Sequence, residues 1–218
     1  MFPKRGGVAY LYPLSSIICV VWLTTFPFAG YPIPMRVIAG TARGRHLKVP
    51  KGTGIRPATD LVRGAIFSIL ENMADDWSRV LDVFSGTGAM GIEALSRGAG
   101  WVDFIEREPR HCAIIKENLA ATGLAGNSHV YCISVAKALE LLDKEYNIVI
   151  MDPPYADRTI DDVIGKVGNS KLIGDKTVVV VTHSPKFPLQ QSYTPLRMVK
   201  EHRHGDSVIS IFKKEGSP

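Results

Sequence analysis

The residues best suited to chemistry in this chain stand together in Asn147-Ile148-Val149-Ile150-Met151-Asp152-Pro153-Pro154-Tyr155. An apolar, β-branched run ends abruptly on an acid, two prolines and an aromatic ring. The exocyclic amine of a nucleobase is a poor nucleophile because its lone pair is delocalised into the ring. Acceptors that take hydrogen bonds from that NH2 draw the nitrogen towards tetrahedral geometry and free the lone pair to attack. Asp152 supplies one acceptor, and the carbonyl of Pro153 can supply another. Pro153 and Pro154 hold that carbonyl rigidly and offer no competing N–H. Tyr155 provides a face for an extruded base, a stacking interaction worth roughly 1–3 kcal/mol. Standing alone, these residues could equally be a proline-rich turn with an Asp cap, so their surroundings decide the reading.

The second informative stretch lies upstream, in Asp82-Val83-Phe84-Ser85-Gly86-Thr87-Gly88-Ala89-Met90-Gly91. Gly86 and Gly88 allow a ligand to approach the backbone closely, and the helix start that follows presents free N–H groups. Eighteen residues after Gly88 comes Glu106, a carboxylate placed to accept both hydroxyls of a ribose. Glycine loops of this kind serve NAD, FAD and S-adenosylmethionine alike, so an adenosine-ribose cofactor is the limit of what the loop itself says. Asp82 leans towards the methyl donor, since an acid there can meet a positively charged methionine end and would repel a pyrophosphate.

Both stretches need elements to hold them, and the hydrophobic period provides these. Short apolar strands are predicted at residues 80–84, 101–106, 130–133, 146–151 and 177–182. Helical patterns separate them at 89–97, 109–122, 136–142 and 159–167. A further helix follows Asp60, a candidate N-cap, with Val62, Ile66, Phe67, Ile69 and Leu70 on its apolar face. Two closing strands, 196–201 and 207–212, turn at His204-Gly205-Asp206. Alternating strands and helices predict an α/β, Rossmann-like fold: a seven-stranded, mostly parallel sheet with an antiparallel C-terminal hairpin. In such a sheet ligands sit beyond the carboxyl ends of the strands, where both the glycine loop and Asp152 fall. Residues 36–49 alternate apolar and basic side chains around Gly40 and Gly44 and predict a basic N-terminal β-hairpin, with a loop over 50–57.

The bulk numbers fit an ordinary globular chain with a modest basic excess, a formal net charge of +5 from 26 Lys and Arg against 21 Asp and Glu. Much of that excess is concentrated. Arg36, Arg43, Arg45, Lys48, Lys51 and Arg56 face the single acid Asp60 between residues 35 and 60, a phosphate-binding composition. His202, Arg203 and His204 form a smaller cluster that reads as an exposed turn. Cys19, Cys112 and Cys132 are odd in number and scattered, which argues against a disulfide framework and against a zinc site. Residues 1–34 differ from the rest: Lys4 and Arg5 precede an apolar stretch in the manner of an export signal. Because everything from Met35 onward is self-contained and cytosolic in character, this segment is expected to be a dispensable extension. The organisation expected is therefore 1–34 as extension, 35–59 as a basic RNA-binding arm and 60–218 as the catalytic domain.

With these stretches in view, the chain from Met35 to Lys213 resembles the bacterial 16S rRNA (guanine-N2-)-methyltransferases. The carrying segments are MRVIAGTARGRHLKVP at Met35, RPATDLVRGAIFSIL at Arg56, LDVFSGTGAMGIEALSRGA at Leu81, FIEREP at Phe104 and NIVIMDPPY at Asn147. The resemblance implies S-adenosylmethionine held by Asp82, Phe84, Gly86, Gly88, Glu106, Arg107, Ser134, Val135 and Asp152. It implies catalysis at Asp152, Pro153, Pro154 and Tyr155, with Arg56 and Pro57 near the substrate mouth. It also implies a cytoplasmic monomer acting on 16S rRNA within a partly assembled small ribosomal subunit, with no metal and no membrane. The chain departs from the family at Gly64 and Ser68, where an acid and Asn are usual, at Val135, where an acid often meets the adenine amine, and at Thr182, where a Glu is usual. Two rival readings share parts of this pattern. An adenine-N6 methyltransferase acting on DNA or RNA shares both loops, and an NAD-linked oxidoreductase shares the glycine loop and Glu106 but gives Asp152 no role.

Overall fold

The computed structural model describes residues 35–50, 59–154 and 159–216, all within one compact unit. The extension at 1–34 lies outside the described residues, as do Lys51, Arg56, Pro57 and Tyr155. Strands β1 (Arg79–Val83), β2 (Trp101–Glu106), β3 (Ser128–Cys132), β4 (Tyr146–Met151) and β5 (Ile173–His183) run parallel in the order β3-β2-β1-β4-β5. The sheet then continues through β8 (Ser207–Lys214), β7 (Leu196–His204) and β6 (Ser192–Tyr193), all antiparallel. The sheet thus has eight strands, the addition to the expected seven being the two-residue β6, too short to carry a period of its own.

Alternation along each strand divides the core into two layers. Val80, Phe104, Ile148, Ile150, Val178, Val180, Ile209 and Ile211 share a front cluster with α1 (Asp60–Met73), α2 (Ala89–Ser96) and α3 (Pro109–Thr122). Leu81, Val83, Val149, Met151, Val179, Val181 and Phe212 face the other way, where α5 (Ile160–Gly168) and α4 (Val135–Leu141) pack. Among the described residues no helix is long and apolar enough to cross a membrane.

Helix α1 begins one residue earlier than Asp60 would set it. Thr59 is the N-cap, its hydroxyl accepting from Val62 N at 3.3 Å, and Asp60 sits in the first turn. There Asp60 pairs with the fully buried Arg63 at 2.8 Å, and the same guanidinium donates to the Arg36 carbonyl at 2.6 Å. The basic N-terminal arm doubles back as a short hairpin: Arg36 bridges His46, Val37 N donates to the Arg45 carbonyl at 2.9 Å and Leu47 N to that of Met35 at 2.8 Å. It is also held by α2. Ile38 N and Ala39 N donate to the buried Glu93 carboxylate at 2.7 and 2.9 Å, and Ala42 N donates to Ser96 Oγ at 2.9 Å. Gly40 is required at the tip: its φ is +79°, and a Cβ would lie 1.8 Å from the Ser96 carbonyl oxygen.

Cys112 and Cys132 correct the expectation of unpaired thiols. They are joined as a disulfide with Cα atoms 5.9 Å apart. Cys112 lies in the first turn of α3 and Cys132 ends β3, so the fold brings together two residues that are 20 apart in sequence.

Candidate active site

Four polar side chains occupy the carboxyl end of the sheet on its front face. Asp82 follows Leu81 in β1, Glu106 ends β2, Asp152 follows Met151 of β4, and Thr182 is the penultimate residue of β5. Parallel pairing sets them in line, since Asp82 is opposite Ile150 and Met151 is opposite Val181. Asp152 and Thr182 are thus neighbours across β4 and β5, and the Thr182 hydroxyl donates a hydrogen bond to Asp152 Oδ1. Thr182 is fully buried. One oxygen of Asp152 is thus held by Thr182. The prolines follow at once, Pro153 buried and Pro154 exposed.

The glycine loop is shaped by its own acids. Asp82 Oδ2 accepts from Gly91 N at 2.8 Å, serving as the acceptor that the start of α2 lacks from any cap side chain. Its Oδ1 is buried with no hydrogen-bond partner among the described residues. Glu106 takes the N–H of Gly86 at 2.9 Å on one oxygen and that of Glu108 at 2.8 Å on the other. Each carboxylate oxygen retains a second lone pair for a ligand hydroxyl. Phe84 stands at φ 61°, a left-handed conformation that costs a non-glycine residue on the order of 1–3 kcal/mol and collects at functional loops. Gly91 serves close packing: a Cβ there would come within 2.3 Å of the Phe104 ring.

The electrostatics follow from this crowding. Removal from water pushes the Asp82 carboxyl up to about 8, against the Gly91 N–H, with the negative charges of Asp152 and Glu106 adding to the rise. Asp152 is also raised above the ordinary carboxylate range by loss of water, and the Thr182 hydrogen bond pulls the other way. Like-charged acids around one opening form a site whose unmet need is a cation and hydrogen-bond donors.

The remaining candidates scatter. Ser134 caps α4 by accepting from Lys137 N at 3.3 Å, and Val135 follows it, half-buried, beyond the end of β3. Arg107 is exposed. In the arm, Arg36 pairs with Asp60 at 3.3 Å and Lys48 with Glu117 at 2.5 Å, while Arg45 Nη1 donates to the Ala121 carbonyl at 3.1 Å. Ser96 and Ala121 lie near the C-terminal ends of α2 and α3, which start at the carboxyl edge of the sheet and run away from it. The arm tip with Arg43 and Arg45 therefore sits remote from Asp152. Met35 at the start of the arm touches the glycine loop, its sulfur accepting from the Thr87 hydroxyl at 3.5 Å. Thr182 is the member that residue types alone missed, for it stood out only as a place where Glu is usual.

The family model described as Conserved hypothetical protein 95 matches residues 35–213. Ribosomal RNA small subunit methyltransferase D of Escherichia coli K12 is 35% identical over 181 residues, covering 83% of this chain and 90% of its own. A solved hypothetical protein of Thermus thermophilus is 27% identical, covers 81% of this chain and 98% of its own, and superposes with a TM-score of 0.69. A more distant likeness, in fold alone, is to mitomycin 7-O-methyltransferase, at 14% identity and a TM-score of 0.51 over 71% of this chain and 57% of its own.

Proposed function

This chain belongs to the conserved hypothetical protein 95 family, which it shares with the small-subunit ribosomal RNA methyltransferases, and from that premise we propose that it methylates the exocyclic N2 of a guanine in 16S rRNA using S-adenosylmethionine. The observation that carries the proposal is Asp152, set at the end of β4 on the face that also holds Asp82 and Glu106 and followed by two prolines.

The residues present fit that cofactor. Asp82 Oδ1 is a buried acceptor without a donor, matched to the ammonium end of the methionine moiety. Glu106, with both oxygens already fixed by backbone N–H groups, is held to accept the ribose hydroxyls. Gly86, at φ 54°, leaves open space where a ligand would lie, while Gly88, at φ 76°, lets the loop pack closely on Ile115 and Phe104. Phe84 and, after β3, Ser134 and Val135 would border the adenosine. When bound, the donor supplies an electrophilic methyl on a cationic sulfur.

The work of this chain is to prepare the amine. Asp152 accepts one N–H of the guanine amine and the Pro153 carbonyl the other, and the nitrogen lone pair turns towards the methyl. Thr182 keeps the carboxylate oriented and favours its ionised form, the form able to accept. The proton released on transfer passes to Asp152 or to water. Tyr155 stacks the extruded base, and the arm cations Arg36, Arg43, Arg45, Lys48, Lys51 and Arg56 contribute phosphate contacts. The protein acts as a monomer on a partly assembled subunit.

The test is transfer of labelled methyl from S-adenosylmethionine to small subunits of a strain lacking its own guanine-N2 enzyme, followed by nucleoside analysis. N2-methylguanosine is the expected product. Methyladenosine would retain the Asp152 chemistry and overturn the guanine assignment. No transfer to RNA, with the cofactor bound, would overturn the function.

A further inference from the structure

The C-terminal hairpin carries a row of polar side chains that the proposed methyl transfer does not use. Pairing across the sheet determines where they point. Thr182 of β5 is opposite Ile209 of β8, and Ile209 is opposite His202 of β7. Paired residues share a face, so His202 lies on the front, in the same cross-strand row as Thr182 and its neighbour Asp152. Lys200 is opposite Ile211 and His204 opposite Ser207, which places both on the same face as His202. The two imidazole rings have centroids 6.3 Å apart. Glu201 and Arg203 take the reverse face, where Ser210 Oγ donates to Glu201 at 3.4 Å.

Three strand spacings of about 4.8 Å separate β7 from β4, so His202 is roughly 14 Å along the row from Asp152. Over β5 and β8 the front face is buried against the helix layer, while on β7 Lys200 and His202 are exposed and His204 half-buried. Strand β6 pairs with β7 at Leu196 and Arg197, leaving Lys200 to His204 beyond its reach. On the opposite flank the arm tip bends away from the catalytic edge, as its bonds to Ser96 and Ala121 require. Among the described residues, β7 thus places His202 in the row of Asp152, with Lys200 and His204 on the same face in the rows beside it.

We propose that Lys200, His202 and His204 form a second RNA-docking surface, which holds phosphates of the nucleotides flanking the methylated one. Lys200 supplies a charge, and each imidazole an N–H donor for a phosphate oxygen. The proposal rests on the RNA reading of the active site and adds a docking track to it. Cations on an edge strand also discourage pairing with other chains. That role would be met by charge anywhere along β7 and does not select the row of Asp152.

The experiment measures binding of a small-subunit rRNA fragment to the full chain as a function of salt. The variants are Lys200→Glu with His202→Ala, and Arg197→Glu as the comparison. Arg197 is on the same face of β7, at the end away from the catalytic row. Each lost phosphate contact reduces the slope of log K against log salt by about 0.7 and, extrapolated from 1 M, weakens binding about fourfold at 0.15 M salt. The double variant is expected to lose about 4–16-fold in RNA affinity, with cofactor affinity and melting temperature unchanged, and Arg197→Glu to lose less than twofold. Equal losses in the two variants, or none in either while wild type binds, overturn the docking surface and leave the proposed function standing. Wild type that neither binds nor methylates the RNA overturns both. If the double variant aggregates, Lys200→Gln alone decides between the two outcomes by the same slope.

Discussion

Replacing Thr182 by Val removes one hydroxyl beneath Asp152 and little else, since the side chain is fully buried and the two residues have nearly the same shape. The hydroxyl donates to a carboxylate, and a hydrogen bond to a charged group contributes about 1.5–3 kcal/mol. Losing the bond removes that support from the ionised form, so the Asp152 carboxyl rises further. The carboxyl already lies above its ordinary range through removal from water, and Thr182 is what opposes that rise. The proposed chemistry needs the ionised form as acceptor, so the methylation rate climbs with pH as Asp152 loses its proton. In Thr182→Val the acid limb of kcat should move to higher pH, and in Thr182→Ser it should return towards wild type. The assay is labelled-methyl transfer at saturating cofactor and RNA across the pH range, with a thermal melt at each end. An acid limb that stays in place in a Thr182→Val protein that melts normally would refute the argument, because a merely structural Thr182 affects stability without moving that limb.

Other changes separate the roles of the remaining groups. Asp152→Ala should reduce transfer by at least a hundredfold while cofactor affinity, followed by calorimetry, changes less than threefold; loss of cofactor binding would remove Asp152 from the amine. The Asp82 carboxyl, pushed up to about 8, gives a signed stability prediction. The folded state holds the proton more tightly than the unfolded chain, so folding stability falls as pH rises from about 4 to about 8. Asp82→Asn should flatten that fall in the cofactor-free protein, and a melting-temperature profile parallel to wild type across this window would contradict it. Gly91→Ala places a methyl against the Phe104 ring and should cost about 1–3 kcal/mol in denaturant unfolding, with weaker cofactor binding as α2 shifts from Asp82. Unchanged stability would mean that α2 yields at no cost.

What could be read from the chain beforehand is what depends on short range. The β-branched runs ending at Val83 and Met151, the glycines after Asp82 and the acid at Glu106 each carry their meaning within about ten residues. Their alternation implied the parallel sheet. The features that escaped are made by distant pieces. Thr182 meets Asp152 through the register of β4 against β5, and Cys112 meets Cys132 because α3 folds back over β3. The arm reads as a hairpin by its period and its limbs do pair, yet the amides of Ile38, Ala39 and Ala42 go to Glu93 and Ser96 on a distant helix, which no local pattern foretells. A buried acid that serves as an anchor looks in sequence like any other helix-surface Glu. At α1 the competition was between adjacent capping residues, Thr59 and Asp60, and the demand of Arg63 for a carboxylate accounts for Asp60 turning inward.

The acids that crowd the carboxyl edge would also give the proposed turnover a direction. Asp152 and Glu106 each raise the Asp82 carboxyl, and a cationic ligand held by these residues would offset that repulsion. The proposed methyl donor carries such a charge on sulfur and its demethylated product does not. The two differ by one carbon in shape and by a whole unit of charge, so a floor of this kind would tell them apart electrostatically and favour departure of the spent molecule.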